Sequence, residues 1–275
     1  MPHAEGSGAR IHYTDRGRGE PLLLLNGLSA PGKFWPMGLL ERWSGRFRVL
    51  CVDHRGTGAS ERPAWPFTMA DMARDAVAVL DHAGAERAVV IGLSMGGLVA
   101  QALALDHGHR VRGLVLMATG AGSLDLRVRP QLLVPLFVRR GSARDTVRAL
   151  WSNITAPGFA QRDPAAFEEM ERVVFAEPTP ASVIRMQLLA VAGFHAAHRL
   201  GEVRAPALVL HGASDPLAPP DIGRDLARRI PGARFEVIAG AGHLLPWEAP
   251  AEVCERVETF MASLAQDERN NDVVM

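Results

Sequence analysis

The sequence predicts an α/β fold in which a mostly parallel central sheet is flanked by helices. Short apolar segments alternate with segments of helical periodicity, as in successive βαβ units. The predicted strands are nearly continuous in apolar residues, as expected where both faces of a sheet are buried. One long stretch, residues 123–200, contains helical patterns only.

Seven segments are predicted as strands, the first of them at an edge of the sheet: Arg10–Asp15, Pro21–Asn26, Phe47–Asp53, Ala88–Leu93, Val111–Ala118, Pro206–His211 and Arg234–Ala239. Between them, Thr68–Ala83 has apolar residues at helical spacing, with Thr68 as N-cap and Asp71 in the first turn. Met95–Leu105 is apolar nearly all round, which predicts a buried helix. An amphipathic helix is predicted after Pro250.

The strand-free stretch predicts a helical cap, or lid, at residues 123–200, inserted into a core formed by residues 1–122 and 201–275. Its helical patterns lie at Gln131–Arg140, Ala143–Trp151, Ala165–Val174 and Ala181–Ala192. Residues 266–275 are polar and lack periodicity, so we expect a disordered tail there.

Composition narrows the class of partner. The 275 residues are 48% hydrophobic and carry a formal net charge of zero, so no basic field points to nucleic acid or anionic lipid. The first residues lack the pattern of a signal peptide, and the apolar segments are too short to span a bilayer. We therefore expect a cytoplasmic protein with no nucleic-acid or membrane partner. Oligomeric state has no signature in the sequence.

A candidate nucleophile lies at the junction of a strand and a helix. Ser94 occupies the centre of the segment GLSMG, between the predicted strand Ala88–Leu93 and the helix that begins at Met95. A G-x-S-x-G motif in this setting holds its serine on a sharp turn with the hydroxyl exposed. Glycine on both sides removes the Cβ atoms that would crowd such a turn.

A serine nucleophile needs a base and a carboxylate that orients the base. Asp215 follows the strand Pro206–His211, and His243 lies in a glycine-rich loop after the next strand, which gives the chain order Ser, Asp, His expected of this fold class. Asp53 is a rival carboxylate, but it precedes Ser94 and is better placed to organise its own turn. His211 is interpreted as structural.

Two backbone N–H groups are predicted to bind the oxyanion of the tetrahedral intermediate. One belongs to Met95, the residue after the nucleophile, and the other to Leu28, in the loop after Pro21–Asn26. The side chains predicted to contact substrate are those of Asn26, Trp35, Leu217 and Leu244 from the core and Trp151, Met186 and Phe194 from the cap.

These motifs resemble the α/β-hydrolase superfamily across nearly the whole chain. The likeness rests on the segments around Asn26, Asp53, Ser94, Asp215 and His243, the last followed by Glu248-x-Pro250. It implies a Ser94–Asp215–His243 triad under a variable helical cap. Asn precedes Gly27 where the commonest pattern has His, and in this the chain is similar to the 3-oxoadipate enol-lactonase-type branch.

The chemistry expected from these residues is hydrolysis of a small ester or lactone through an acyl-enzyme on Ser94. No Cys/His cluster has the spacing of metal ligands, so we expect neither a metal nor a cofactor. Two alternatives stay open. The same triad could serve a lyase, acyltransferase or cyclase, and the scaffold could serve a non-catalytic ligand receptor.

Overall fold

The computed structural model describes residues 2–122 and 142–274, with side chains described through residue 270. Its sheet has eight strands: β1 His3–Glu5, β2 Arg10–Arg16, β3 Pro21–Leu25, β4 Arg48–Val52, β5 Ala88–Leu93, β6 Val111–Met117, β7 Ala207–Gly212 and β8 Arg234–Ile238. The spatial order is β1-β2-β4-β3-β5-β6-β7-β8. The first two strands pair antiparallel, and β3 to β8 are parallel. The predicted mostly parallel α/β fold is confirmed.

Ten α-helices are described in the same two ranges: α1 Met37–Ser44, α2 Met69–His82, α3 Met95–Asp106, α4 Ala143–Ile154, α5 Phe159–Arg162, α6 Pro164–Ala176, α7 Ala181–Ala192, α8 Pro220–Arg229, α9 Leu245–Glu248 and α10 Pro250–Val274. Thr68 is the N-cap of α2, as predicted, and it forms a capping box with Asp71. Among the described helices, none has the length and apolar character needed to cross a membrane.

The sheet is covered on both faces, which explains its apolar strands. Leu23 and Leu25 of β3 pack into a core with α2 and α3, whereas Leu22 and Leu24 pack into a second core with α1 and α10. All four side chains are fully buried. Because neighbouring residues of a strand point to opposite faces, a two-sided core requires an unbroken apolar run.

Helices α4 to α7, hereafter the helical segment, lie in the chain between β6 and β7. An aromatic cluster attaches them to the loops that follow β3 and β8. The ring of Trp151 lies 5.7 Å from that of Phe34 and 5.8 Å from that of Phe167, and Phe34 lies 5.4 Å from Trp247. The predicted helix Gln131–Arg140 lies outside the described residues.

The last helix corrects the prediction of a disordered tail. Residues 266–274, expected to be disordered, continue α10 as helix. Glu268 forms ion pairs with Arg112 of β6 and with Arg87, at 2.6 and 2.9 Å, which hold this part of the helix against the core. Composition alone does not reveal these pairs, because both partners are distant in the sequence.

Candidate active site

Ser94 lies on a strained turn between β5 and α3. Its backbone has φ 53° and ψ −116°, a conformation that costs a non-glycine residue about 1–3 kcal/mol. The flanking glycines are required by close packing: a Cβ at Gly92 would overlap the Gly96 carbonyl, and one at Gly96 would overlap the Leu25 carbonyl oxygen. The turn therefore has the form that the motif predicts.

The three residues predicted to form a triad are joined in a chain of two hydrogen bonds, with His243 between Ser94 and Asp215. The Oγ of Ser94 is 2.9 Å from Nε2 of His243, and Nδ1 of His243 is 2.8 Å from Oδ2 of Asp215. With its proton on Nδ1, the imidazole donates to Asp215 and accepts from the Ser94 hydroxyl. The arrangement is suited to removing a proton from Ser94.

The Asp215 carboxylate is fixed by its own loop. Its Oδ1 accepts the backbone N–H groups of Leu217 and Ala218, at 2.8 and 2.9 Å, and this leaves Oδ2 directed at the imidazole. Charge-assisted hydrogen bonds of this kind hold the carboxylate in one orientation. Asp215 can therefore orient His243.

The loop after β3 lies against the serine. A Cβ built on Gly27 would be 3.4 Å from Cβ of Ser94, so the loop backbone contacts the nucleophile. Across the described residues, the N–H groups of Leu28 and Met95 have no hydrogen-bond acceptor in the protein. Both predicted donors are thus free to bind an oxyanion.

The helical segment holds this loop in place. The backbone N–H of Ser29 donates to Oε1 of Gln187 on α7 at 2.9 Å, and its carbonyl accepts the hydroxyl of Thr179 at 2.8 Å. Ser29 itself has φ 62°, a left-handed conformation. A strained loop of this kind keeps its shape only where its surroundings fix it.

A cavity of about 150 Å³ opens beside Ser94 and His243. Three predicted contact residues line it, Trp151, Leu217 and Leu244, and so does Leu28, which was predicted as a backbone donor to the oxyanion. Further lining side chains that the sequence analysis did not name are Ala30, Phe34, Leu93, Val147, Leu150, Ile154, Val174 and Ile184. Within the described ranges, the cavity wall contains no charged side chain apart from the titratable His243.

Four predicted contact residues are absent from the described cavity wall. Asn26 is fully buried, and its Nδ2 donates to the Pro31 carbonyl. Its side chain therefore stabilises the loop after β3. Trp35 packs in the core on the α1 and α10 side of the sheet. Met186 and Phe194 pack against the core on the α2 and α3 side.

The cavity face of α4 could have been found from the sequence. Val147, Leu150, Trp151 and Ile154 recur at the three- and four-residue spacing of one helix face. Periodicity identifies such a stripe as buried, but it does not distinguish a face that packs in the core from one that lines a cavity.

Asp53 has the structural role predicted for it. Its carboxylate accepts backbone N–H groups from Gly32 and Ala59 and lies 2.7 Å from Nδ1 of His12. These contacts bind the turn after β4 to its neighbours. Both oxygens of the carboxylate are therefore engaged by these partners and not by His243.

The other buried histidines face backbone carbonyls. Nε2 of His54 lies 3.1 Å from the Asn26 carbonyl oxygen, and burial lowers the pKa of this imidazole to about 4. The two ring nitrogens of His211 lie against the carbonyls of Ala218 and Thr119, and burial lowers its pKa as well. His211 therefore supports the loop that carries Asp215.

Neither cysteine is suited to act as a nucleophile. Cys51 and Cys254 are free and buried. Burial raises the pKa of the Cys51 thiol to about 12 and that of Cys254 to about 11. A thiol must ionise to react, so both are inert at neutral pH.

The chain belongs to the α/β-hydrolase fold family, whose family model matches residues 20–250. The resemblance predicted from the motifs is confirmed. The chain is 30% identical over 267 residues to RutD of Azorhizobium caulinodans, named as a candidate carbamate hydrolase, with 97% of this chain and all of that protein covered.

A second relative and a solved structure extend the comparison. The chain is 30% identical over 258 residues to the 2-hydroxy-6-oxononadienedioate/2-hydroxy-6-oxononatrienedioate hydrolase of Paraburkholderia phymatum, covering 88% of each chain. It superposes on the enol-lactonase from Burkholderia xenovorans LB400 with a TM-score of 0.84 and 27% identity, covering 95% of this chain and all of that one. All three proteins carry the names of hydrolases.

Proposed function

We propose that the protein is a serine hydrolase that cleaves a small ester or lactone through an acyl-enzyme on Ser94. The observation that carries the proposal is the hydrogen-bonded chain from Ser94 through His243 to Asp215, with distances of 2.9 and 2.8 Å. The similarity to hydrolases, one of them an enol-lactonase, supports the same class of reaction.

The geometry supports the following sequence of steps for the proposed reaction. Nε2 of His243 accepts the Ser94 proton while Oγ attacks the substrate carbonyl carbon, and the N–H groups of Leu28 and Met95 bind the resulting oxyanion. The imidazolium returns its proton to the leaving oxygen as the C–O bond breaks. Water, deprotonated by the same imidazole, then attacks the acyl carbon. The imidazolium gives this proton to Oγ of Ser94 as the bond between Oγ and the acyl carbon breaks, which releases the acid and free Ser94.

The helical segment belongs to the proposed cap, which residues 123–200 form. It supplies the outer wall of the proposed acyl pocket. A cavity of this volume and apolar character accommodates a group about the size of benzene. Its described wall is aliphatic and aromatic, which favours an uncharged acyl chain or lactone ring over a substrate that carries a carboxylate near the reacting carbonyl.

Turnover of p-nitrophenyl butyrate by wild type and by Ser94→Ala tests the proposal. We expect wild-type turnover and a loss of at least about 10³-fold in kcat in the variant, because the nucleophile is gone. Ser152→Ala, at an exposed serine of α4, is the matched control and should retain full activity. Equal rates in Ser94→Ala and wild type would contradict the proposal.

Reaction in ¹⁸O-labelled water distinguishes hydrolysis from the water-free alternatives. A hydrolase incorporates one ¹⁸O atom from solvent into the released butyric acid. Formation of product without free acid would indicate transfer or elimination and contradict hydrolysis. Free acid without label would mean that water does not attack the acyl carbon, and it would contradict the acyl-enzyme.

A further inference from the structure

Glu248 accepts the backbone N–H groups of the two residues that flank His243 in the sequence, Gly242 and Leu244. Its Oε2 accepts the N–H of Gly242 and its Oε1 accepts the N–H of Leu244, both at 2.9 Å. The carboxylate therefore fixes the backbone immediately before and immediately after the imidazole that faces Ser94. Sequence reasoning named Glu248 only as part of a motif.

The same carboxylate reaches the helical segment. Oε2 also accepts the N–H of Ala156, at 2.6 Å, just beyond the end of α4. The N–H of His243 donates to the carbonyl of Ile154 at 2.9 Å, so the histidine loop and the end of α4 are bound in both directions. Contact is tight enough that a Cβ on Gly242 would overlap the Ala156 nitrogen.

Three backbone N–H groups donate to the partly buried Glu248 carboxylate. An ionised carboxylate can only accept hydrogen bonds, so these three donors suit its charged form. Burial raises the pKa of the Glu248 carboxyl, while the three donors and the nearby His243 act in the opposite direction. His243 is the titratable group whose charge acts on this carboxylate. A negative charge here stabilises the imidazolium that forms when Ser94 attacks.

We propose that Glu248 is a positioning residue for the reaction assigned above: it holds the His243 loop at Ser94, ties that loop to the end of α4, and places a carboxylate near the imidazole. The role rests on the proposed function for its effect on turnover, but its effect on the imidazole is independent of any substrate. The Glu248 side chain thereby connects the end of α4 to the loop that carries His243.

Glu248→Gln tests the role, because it keeps the size of the side chain and removes its charge and one of its two acceptors. We expect kcat for p-nitrophenyl butyrate to fall about 10- to 100-fold with KM changed less than about threefold. Because a negative charge beside an imidazole favours its protonated form, loss of the charge should move the acidic limb of the kcat/KM profile to lower pH. The matched control is Glu252→Gln, at an exposed glutamate of α10 that leaves the His243 loop untouched.

Nuclear magnetic resonance titration of the His243 ring separates this role from the proposed function. The imidazole pKa should be lower in Glu248→Gln than in wild type and in Glu252→Gln, whether or not any ester is turned over. An unchanged His243 pKa together with wild-type kcat would overturn the role of Glu248. A lowered pKa in a protein that hydrolyses no ester would contradict the proposed function alone.

Glu248→Asp keeps the negative charge and shortens the side chain by one methylene group. This variant tests the positioning role if Glu248→Gln does not fold. We expect a loss of kcat with the acidic limb of the pH profile close to that of wild type. Wild-type kcat in Glu248→Asp would overturn the positioning role.

Discussion

Gln187 of α7 accepts the backbone N–H of Ser29 through Oε1, at 2.9 Å, and so connects the helical segment to the loop that carries Leu28. Ser29 and Leu28 are adjacent, so the orientation of one peptide group constrains the next. Gln187 is fully buried, and its Nε2 has no acceptor among the described residues. The bond from the Ser29 N–H is therefore the hydrogen bond that its buried amide group makes there.

Replacing Gln187 with Leu should impair catalysis more than folding. Leu removes the acceptor for Ser29 and the unpartnered amide together, so the change in unfolding free energy should stay below about 1.5 kcal/mol. We expect kcat to fall about tenfold, because the Leu28 N–H is no longer held toward the oxyanion. Steady-state kinetics and urea unfolding measure the two effects.

Gln161→Leu is the control for this change, since Gln161 is exposed on α5. It should leave kcat at the wild-type value. A Gln187→Leu enzyme that retains wild-type kcat would show that the loop keeps its shape without the bond.

Asp215→Asn should reduce kcat by roughly 10³- to 10⁴-fold, as in other Ser–His–Asp enzymes. An amide nitrogen facing Nδ1 of His243 would favour the wrong tautomer, with Nε2 protonated and unable to accept from Ser94. Ester hydrolysis should fall while the thermal midpoint changes little. Asp225→Asn, on the exposed face of α8, serves as the control. Near-wild-type turnover in Asp215→Asn would place the orienting carboxylate elsewhere.

Ile184→Ala should widen the range of acyl chains that the pocket accepts. Ile184 lines the cavity from α7, and truncation adds space at the end of an apolar wall. Wild type should prefer butyrate and hexanoate p-nitrophenyl esters to decanoate, and the variant should raise kcat/KM for decanoate relative to butyrate. Leu189→Ala, on the same helix and 63% exposed, should keep the wild-type order. Identical chain-length profiles in all three proteins would mean that acyl groups bind elsewhere.

His54 should make stability depend on pH. Burial lowers the pKa of this imidazole to about 4, below the ordinary value of 6.5, so the unfolded chain binds the extra proton between these values. Unfolding free energy should therefore fall as pH drops from about 6.5 toward about 4, by up to about 3 kcal/mol from this group. His54→Gln should flatten that slope in chemical denaturation at pH 7.5, 6 and 5.

An exposed histidine provides the comparison, because His109→Gln should leave the slope unchanged. If His54→Gln lost stability between pH 7.5 and 5 as steeply as wild type, the slope would come from other groups.

Local patterns predicted most of the core. The run Leu22–Leu25 is apolar because both of its faces are covered, and such a run is visible without a structure. The order Ser94, Asp215, His243 was readable for a similar reason, since each residue follows a recognisable strand. The structure joins these three side chains by hydrogen bonds, and Leu28 lines the same cavity as Ser94 and His243.

Features that depend on long-range contacts were not predictable. Trp35 and Met186 have the character of pocket residues, yet each packs in a core that periodicity does not distinguish from a cavity wall. Glu248 and Gln187 act through backbone groups of distant segments, and no local pattern records such partners. The prediction of a disordered tail was wrong for the same reason, because Glu268 pairs with Arg87 and Arg112, which are distant in the sequence.

The central claim is that Ser94 is an activated nucleophile, and covalent trapping tests it most directly. Wild-type protein is treated with a fluorophosphonate, and the labelled peptide is located by mass spectrometry, with Ser94→Ala as control. We predict one adduct per chain, on Ser94, and none in the variant. Absence of an adduct on folded wild-type protein, or an adduct on another residue that persists in Ser94→Ala, would contradict the claim.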